Sequence, residues 1–266
     1  KQLKIGIIGA GRIGSLHAKS ITYNVPTSTV VGITDVFRAN AEKVAAELNI
    51  PVIYDDYADA RRPNVEAVLI CSSTDTHADI AIEAAEAGKH IFCEKPVDLT
   101  PEKVNAVIAA VKKAGVKLQV GFNRRFDHNF ANVRAMVADG KIGDVHIVKI
   151  TSRDPAPPPA EYSAVSGGMF LDMTIHDFDM ARFLAGSEVT ESIERDLLVD
   201  PAIGAAGDVD TAVISLKFAN GAVGVIDNSR RAAYGYDQRV EVFGSKGAAI
   251  ASNDTPTNVV FMGDEA

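Results

Sequence analysis

The sequence predicts an α/β protein in two parts: an N-terminal doubly wound parallel sheet, then a C-terminal α+β half built on a mostly antiparallel open sheet. Three observations predict it. From residue 1 to about residue 121, short apolar runs alternate with segments of helical period, the pattern of parallel βαβ units. The first apolar run passes straight into Gly9-Ala10-Gly11-Arg12-Ile13-Gly14, a G-x-G-x-x-G turn that opens a helical pattern. Beyond residue 121 the apolar runs lengthen and alternate, and the Asn220-Gly221 pair between two of them is a hairpin signal. At 266 residues the chain exceeds one ordinary domain, and the change of character places the domains at 1–121 and 122–266.

Within the first domain, strands are expected at 3–8, 29–34, 52–54, 67–71, 90–93 and 117–120, with helices at 40–48, 79–87 and 101–114. The last helix has clear limits: Thr100 stands at the N-cap position, Pro101 at the first helical position, and Gly115 follows Ala114. In the second domain a helix is expected at 129–138 and a strand at 145–152. The stiff loop Asp154-Pro155-Ala156-Pro157-Pro158-Pro159 follows, then a helix at 169–185 set between Gly167-Gly168 and Gly186. Further strands are expected at 212–218, 222–228 and 239–243.

The glycine turn is a phosphate cradle. Gly9 permits the tight turn, Gly11 lets the backbone approach a pyrophosphate, and Gly14 lets the helix pack closely on the strand, so the free amides at the helix start face the anion. The second apolar run ends in Asp35, 21 residues past Gly14, where an acidic side chain meets the adenosine ribose of a dinucleotide. A carboxylate there accepts from a ribose 2′-hydroxyl and repels a 2′-phosphate, which favours NAD over NADP. Arg38, three residues on, is placed to offset part of that repulsion. Ser72, Ser73, Thr74 and His77 follow the fourth apolar run and suit contacts to the ribose and nicotinamide. A helix N-cap made by one of this group, or by Asp75 or Thr76, is compatible with that role.

Composition narrows the function further. A net charge of -8 argues against a nucleic-acid binder, and no apolar run approaches the length of a membrane span. A strand at the N-terminus does not read as a signal peptide, and a cytoplasmic enzyme is the simplest expectation. Cys71 and Cys93, each near the end of an apolar run, are expected as buried, reduced thiols without a nucleophilic role.

Two groups are candidates for chemistry. In Glu94-Lys95-Pro96 a lysine sits at the carboxyl end of a parallel strand, the edge where open α/β sheets place ligands. The following proline restricts Lys95 to extended backbone and raises the chance of a cis bond. Lys95 is either a surface lysine or, beside a cationic nicotinamide, a group able to exchange a proton with an alcohol. Asp172 and His176 are four residues apart on a helix and therefore share a face; the carboxylate either orients the imidazole as a base or forms a purely structural pair. No metal is expected, because one histidine with Asp177 and Asp179 lacks three convergent ligands. Arg124 and Arg125 stand at the domain junction, for substrate oxygens or an interdomain salt bridge.

Taken together, Gly9 to Gly14, Asp35, Ser72 to His77, Glu94-Lys95-Pro96, Gly121-Phe122-Asn123-Arg124-Arg125-Phe126-Asp127 and Asp172 with His176 resemble the glucose-fructose oxidoreductase and inositol dehydrogenase family. Ser152-Arg153-Asp154-Pro155 and the segment Phe170 to Asp179 point to its inositol branch, and the similarity runs through Val240 to Gly247. The resemblance implies a Rossmann domain and an α+β domain whose open sheet mediates oligomerisation, as a tetramer. It implies NAD-dependent oxidation of a ring secondary alcohol of a small polyol to the ketone. By matching positions it makes Lys95, Asp172 and His176 the catalytic set and Arg125, Asp154 and Tyr236, with Asp172 and His176, the substrate contacts. Gly9, Gly11, Arg12, Ile13, Gly14, Asp35, Ser72, Ser73, Thr74, His77, Glu94 and Lys95 become the NAD contacts. Relatives continue with helical structure beyond the position of Ala266. Two alternatives are a dehydrogenase of another sugar or cyclitol, and an NAD-binding sensor without turnover.

Overall fold

Strand β1 (Leu3–Ile8) is apolar on both sides because helices cover both faces of its sheet: Ile5 and Ile7 face one core and Ile8 the other. The computed structural model describes residues 1–163 and 166–253. The chain divides into two units, the first Lys1–Phe122 and the second beginning at Asn123.

In the first unit β1 is followed by α1 (Arg12–Asn24), β2 (Ser28–Thr34), α2 (Arg38–Leu48), β3 (Ala67–Ile70), α3 (His77–Glu86), β4 (His90–Cys93), α4 (Pro101–Ala114) and β5 (Leu118–Val120). The five strands are parallel in the order β2-β1-β3-β4-β5. Gly14, Ala18 and Ile21 of α1, spaced four and three apart, form its buried stripe. One core packs α1 and α2 against the sheet through Ala18, Ile21, Val44 and Leu48. The other packs α3 and α4 through Ala78, Ala81, Ala84 and Val107.

Two local expectations need correction. The strand expected at 52–54 is a single bridge, Ile33 to Ile53, closed by hydrogen bonds from Ile33 N–H to Val52 (3.0 Å) and from Tyr54 N–H to Ile33 (2.9 Å). Pro51, which lacks a donor, and the turn at Asp55-Asp56 stop it from growing. Thr100 does occupy the cap position of α4, but its side chain donates to Asp98 Oδ1 (3.0 Å) and leaves the helix amides uncapped by a side chain.

The second unit contains α5 (His128–Ala138), β6 (Val145–Arg153), α6 (Ala160–Ser163), a π-helical turn (Phe170–Thr174), α7 (Ile175–Ala185), β7 (Val189–Leu197), α8 (Pro201–Ala205), β8 (Thr211–Phe218), β9 (Val223–Ser229), β10 (Asp237–Gly244) and β11 (Gly247–Ala251). Asp127 caps α5, accepting from the amides of Asn129 and Phe130. Among the described residues six strands form a mixed sheet, β11-β10-β6-β9-β8-β7, antiparallel except for the β6–β9 pair. Helices α5 and α7 lie on one face, burying Phe130, Val133, Met180 and Leu184 against Val148, Ile150, Ile214, Ile226 and Val242. The alternation of β8 sends the other set outward. By register Ile193, Val213, Val223, Phe243 and Ile250 share that outer face, and all five are exposed.

Strands β7 and β11 and helix α8 have no counterpart among the expected elements. The helix expected over 169–185 is continuous in that span, but it carries a π turn at Phe170–Thr174 ahead of the α-helical Ile175–Ala185. Residues 254–266 of the expected second domain lie outside the described residues.

Candidate active site

The glycine turn is shaped by contacts that a Cβ would destroy. Gly9 has a φ of +98°, and a Cβ there would stand 2.5 Å from the Cys71 carbonyl oxygen; one on Gly14 would stand 1.9 Å from the carbonyl oxygen of Gly9. A Cβ on Gly11 would meet nothing of the protein, so this backbone faces open space. Gly11 is the N-cap of α1, and no side chain among the described residues caps the first amides of that helix. Those amides are therefore aimed where an anion sits.

Asp35 ties the turn together. Its Oδ2 accepts from the Ala10 amide (2.6 Å), and its Oδ1 from the Phe37 amide (2.8 Å) and the Asn40 side chain (3.3 Å). A cavity of about 740 Å³ opens beside it, lined by Gly9, Gly11, Asp35, Ser72, Ser73 and Thr76 among others. Arg12, Ile13, Gly14 and Thr74 belong to the turns that frame this cavity. Two side chains that the sequence reading passed over, Val36 and Phe37, are exposed apolar surfaces on its wall. Asp55 and Asp56 also line it. Arg38 is bonded to Glu42 (3.0 Å) and Asp55 (2.5 Å).

Beyond β4, the Lys95–Pro96 bond is cis. Glu94 is fixed by His17 of α1, with Nε2 and Oε1 2.6 Å apart, and accepts from the Lys95 amide (3.3 Å); His17 packs edge-on against Phe92. His77, expected to touch cofactor, is 2% exposed, and its ring nitrogens lie 2.8 Å from the Pro96 carbonyl and 3.0 Å from that of Ser72. It braces the two loops instead. A side-chain N-cap for α3 is not formed either; the Thr76 hydroxyl bonds Ser72 and the Ser73 carbonyl.

Both cysteines are free thiols, and burial pushes Cys93 up to about 12 and raises Cys71 as well, with Glu94 adding to both. At pH 8 a thiol of that kind is ionised to about one part in ten thousand. Iodoacetamide at pH 8 should leave both unmodified in the native protein and label both after denaturation, as read by intact mass. Rapid native labelling would contradict this environment.

In the second unit, Asp172 lies in the π turn and His176 in the first turn of α7. Asp172 accepts from Arg230 Nη2 (2.9 Å) and from the Tyr162 hydroxyl (3.1 Å). Next to them Asp177, fully buried, is bonded to Arg124 and to Asn228 Nδ2 (2.9 Å), while Asn228 Oδ1 accepts from Thr174 (2.7 Å). Arg125, expected to touch substrate, spends its fork on Asp179 (2.6 and 2.7 Å) with its guanidinium over Phe183; both arginine pairs lie within the second unit. Asp154 follows β6 and Tyr236 precedes β10. Because Arg153 pairs with both Ser229 and Asp237, these two residues and Arg230 share one end of the sheet. Tyr236 is 71% exposed there. Arg230 and Asp208 were invisible to the sequence reading, since nothing local distinguishes a buried arginine. Among the described residues no three metal-binding side chains stand together, and no helix is long and apolar enough to cross a membrane.

The family model described as "Oxidoreductase family, NAD-binding Rossmann fold" matches residues 3–122, and the GFO/IDH/MocA C-terminal domain matches residues 130–250. The chain belongs to the GFO/IDH/MocA oxidoreductase family. Among its relatives are the myo-inositol 2-dehydrogenase of Thermotoga maritima and the inositol 2-dehydrogenase of Rhizobium meliloti. The first is 51% identical, covering 99% of this chain and 79% of that protein; the second is 50% identical, covering 97% and 78%. Among solved structures, scyllo-inositol dehydrogenase from Lactobacillus casei with bound NAD(H) and scyllo-inositol superposes with a TM-score of 0.90. It is 32% identical, covering 100% of this chain and 81% of that one. The first unit of this GFO/IDH/MocA oxidoreductase is thus an NAD-binding Rossmann domain. The open space at Gly11, the uncapped start of α1 and the carboxylate of Asp35 fit the pyrophosphate and ribose of that cofactor.

Proposed function

We propose that this protein is an NAD-dependent inositol 2-dehydrogenase that oxidises a ring secondary alcohol of myo-inositol to the ketone, 2-keto-myo-inositol. The observation that carries the reading is the likeness, over 99% and 97% of the chain, to two proteins named as inositol 2-dehydrogenases. Asp172 and His176, on a turn anchored to the sheet, supply the acid–base chemistry this reaction requires.

In this reading His176 takes the proton of the substrate hydroxyl, and Asp172 orients the imidazole and offsets the charge that forms on it. Lys95 donates to the same oxygen and stabilises its developing negative charge. NAD, when bound, supplies the acceptor for the hydride that leaves the same carbon. Lys95 and His176 can exchange roles, and the pH profiles of single variants separate the two schemes. Asp154 and Tyr236 contact the remaining hydroxyls. Residues 1–121 serve the nucleotide, and residues 122–266 serve substrate and assembly. The exposed outer face of the six-stranded sheet pairs copies into a tetramer in the cytoplasm.

The cavity also sets cofactor preference. Asp35 and Asp56 present negative charge, while Arg38 and Asp55 form an ion pair that offsets both their charges. At 4 Å a 2′-phosphate charge meets about 1 to 4 kcal/mol of repulsion from each unpaired carboxylate. We expect kcat/KM with NAD to exceed that with NADP by at least roughly tenfold, about 1.4 kcal/mol; equal efficiencies would remove Asp35 from this role.

The deciding experiment follows NADH absorbance with myo-inositol, scyllo-inositol, chiro-inositol, glucose and xylose. Highest turnover on an inositol is expected. Turnover confined to glucose or xylose would reassign the protein as a sugar dehydrogenase, and NAD binding without turnover on any of them would favour a sensor.

A further inference from the structure

Arg230 is 1% exposed and holds two carboxylates, Asp172 at 2.9 Å and Asp208 at 3.3 Å. A buried guanidinium is costly unless its donors are satisfied, so this one is bound up with what its partners do. Both partners reach the same turn. Asp208 Oδ1 accepts the amide of Met169, the residue before the π turn, and a Cβ on Gly168 would stand 2.7 Å from that oxygen. Gly168 has a φ of +73°, so glycine is required there for conformation and space alike.

The other end of the turn is fastened to β9. Thr174 donates to Asn228 of that strand, and Arg230, one residue past the strand's end, stands two residues from Asn228 and so on the same side. The Arg230 amide continues the pairing with β8 by donating to the Asp210 carbonyl (2.7 Å). The π turn is therefore held at its start by Asp208, at its centre by Arg230 on Asp172, and at its end by Asn228. Single π turns inside helices recur at functional sites because they re-aim a side chain.

We propose that Arg230, backed by Asp208, is the positioning residue that sets Asp172 for its work on His176. The proposal rests on the reading of Asp172 as a working residue given above. Lysine keeps the charge of Arg230 but cannot span two carboxylates with a planar fork.

The test is a double-mutant cycle on kcat with Arg230→Lys, Asp172→Asn and the pair, together with NAD affinity from fluorescence titration. We expect Arg230→Lys to lower kcat about tenfold, to leave the NAD Kd within about twofold, and to lower kcat less than about twofold further once Asp172 is Asn. An undiminished kcat in Arg230→Lys, or the same tenfold loss in the Asp172→Asn background, would overturn it. If Asp172→Asn itself keeps full kcat, the functional reading of Asp172 fails, which is a separate result. Should Arg230→Lys not fold, Asp208→Asn leaves the Arg230–Asp172 pair in place; the expected loss is about threefold, absent in the Asp172→Asn background, and no loss would overturn the proposal.

Discussion

Replacing His176 by Asn or Lys95 by Met should lower kcat by roughly 100-fold or more while the Kd for NAD changes little. A factor of 100 is about 2.7 kcal/mol of transition-state stabilisation, within the range that one positioned acid or base supplies. NAD affinity is the informative control, because the proposed seat of the pyrophosphate and ribose is the glycine turn and Asp35, which neither substitution touches. Steady-state kinetics with myo-inositol and calorimetric titration with NAD measure the two quantities separately. Retained turnover in either variant rules that residue out as acid or base.

Gly14→Ala should damage both stability and cofactor binding. The added methyl would sit 1.9 Å from the Gly9 carbonyl oxygen, and Gly9 is itself backed against Cys71, so the turn has nowhere to retreat. Overpacking of this kind costs about 3 kcal/mol. We expect a thermal midpoint lower by several degrees and NAD affinity weaker by roughly 100-fold. Gly11→Ala separates the two effects. Its methyl meets no protein atom, so stability should hold while NAD affinity falls, the methyl standing where the pyrophosphate approaches. Native-like NAD binding by Gly14→Ala would show that the turn can relax.

What was legible in the sequence was local. The path from β1 through the glycine turn into α1, and both limits of α4, are written in glycine, proline and apolar period, whose conformational meaning needs no tertiary partner. Strand β7 escaped because it lies at a sheet edge with nearly every residue exposed, so it shows no alternation. Strand β11, Gly-Ala-Ala-Ile-Ala, has too little side chain to signal a strand. The over-read strand at 52–54 had the right residues and the right neighbour, but Pro51 left no room to extend it. At the site, Asp172 and His176 could be picked out by spacing. Their supports could not: Arg230 meets Asp208 and Asp172 across 22 and 58 positions of chain. The same holds for Arg125, whose partner Asp179 lies 54 positions away. The π turn depends on those distant bonds and leaves no periodic mark.

Asp35 carries two duties under the proposed function: it lines the cavity where the ribose is proposed to bind, and it pins the Ala10 amide inside the glycine turn. Engineering a taste for the phosphorylated coenzyme by swapping Asp35 for a small apolar residue would therefore unfasten the loop as it relieves the repulsion. A successful redesign needs a substitute acceptor for Ala10, such as Ser or Asn, and must also release Arg38 from Glu42 and Asp55. If the expected preference for NAD holds, it is wired into the scaffold and yields only to coordinated changes.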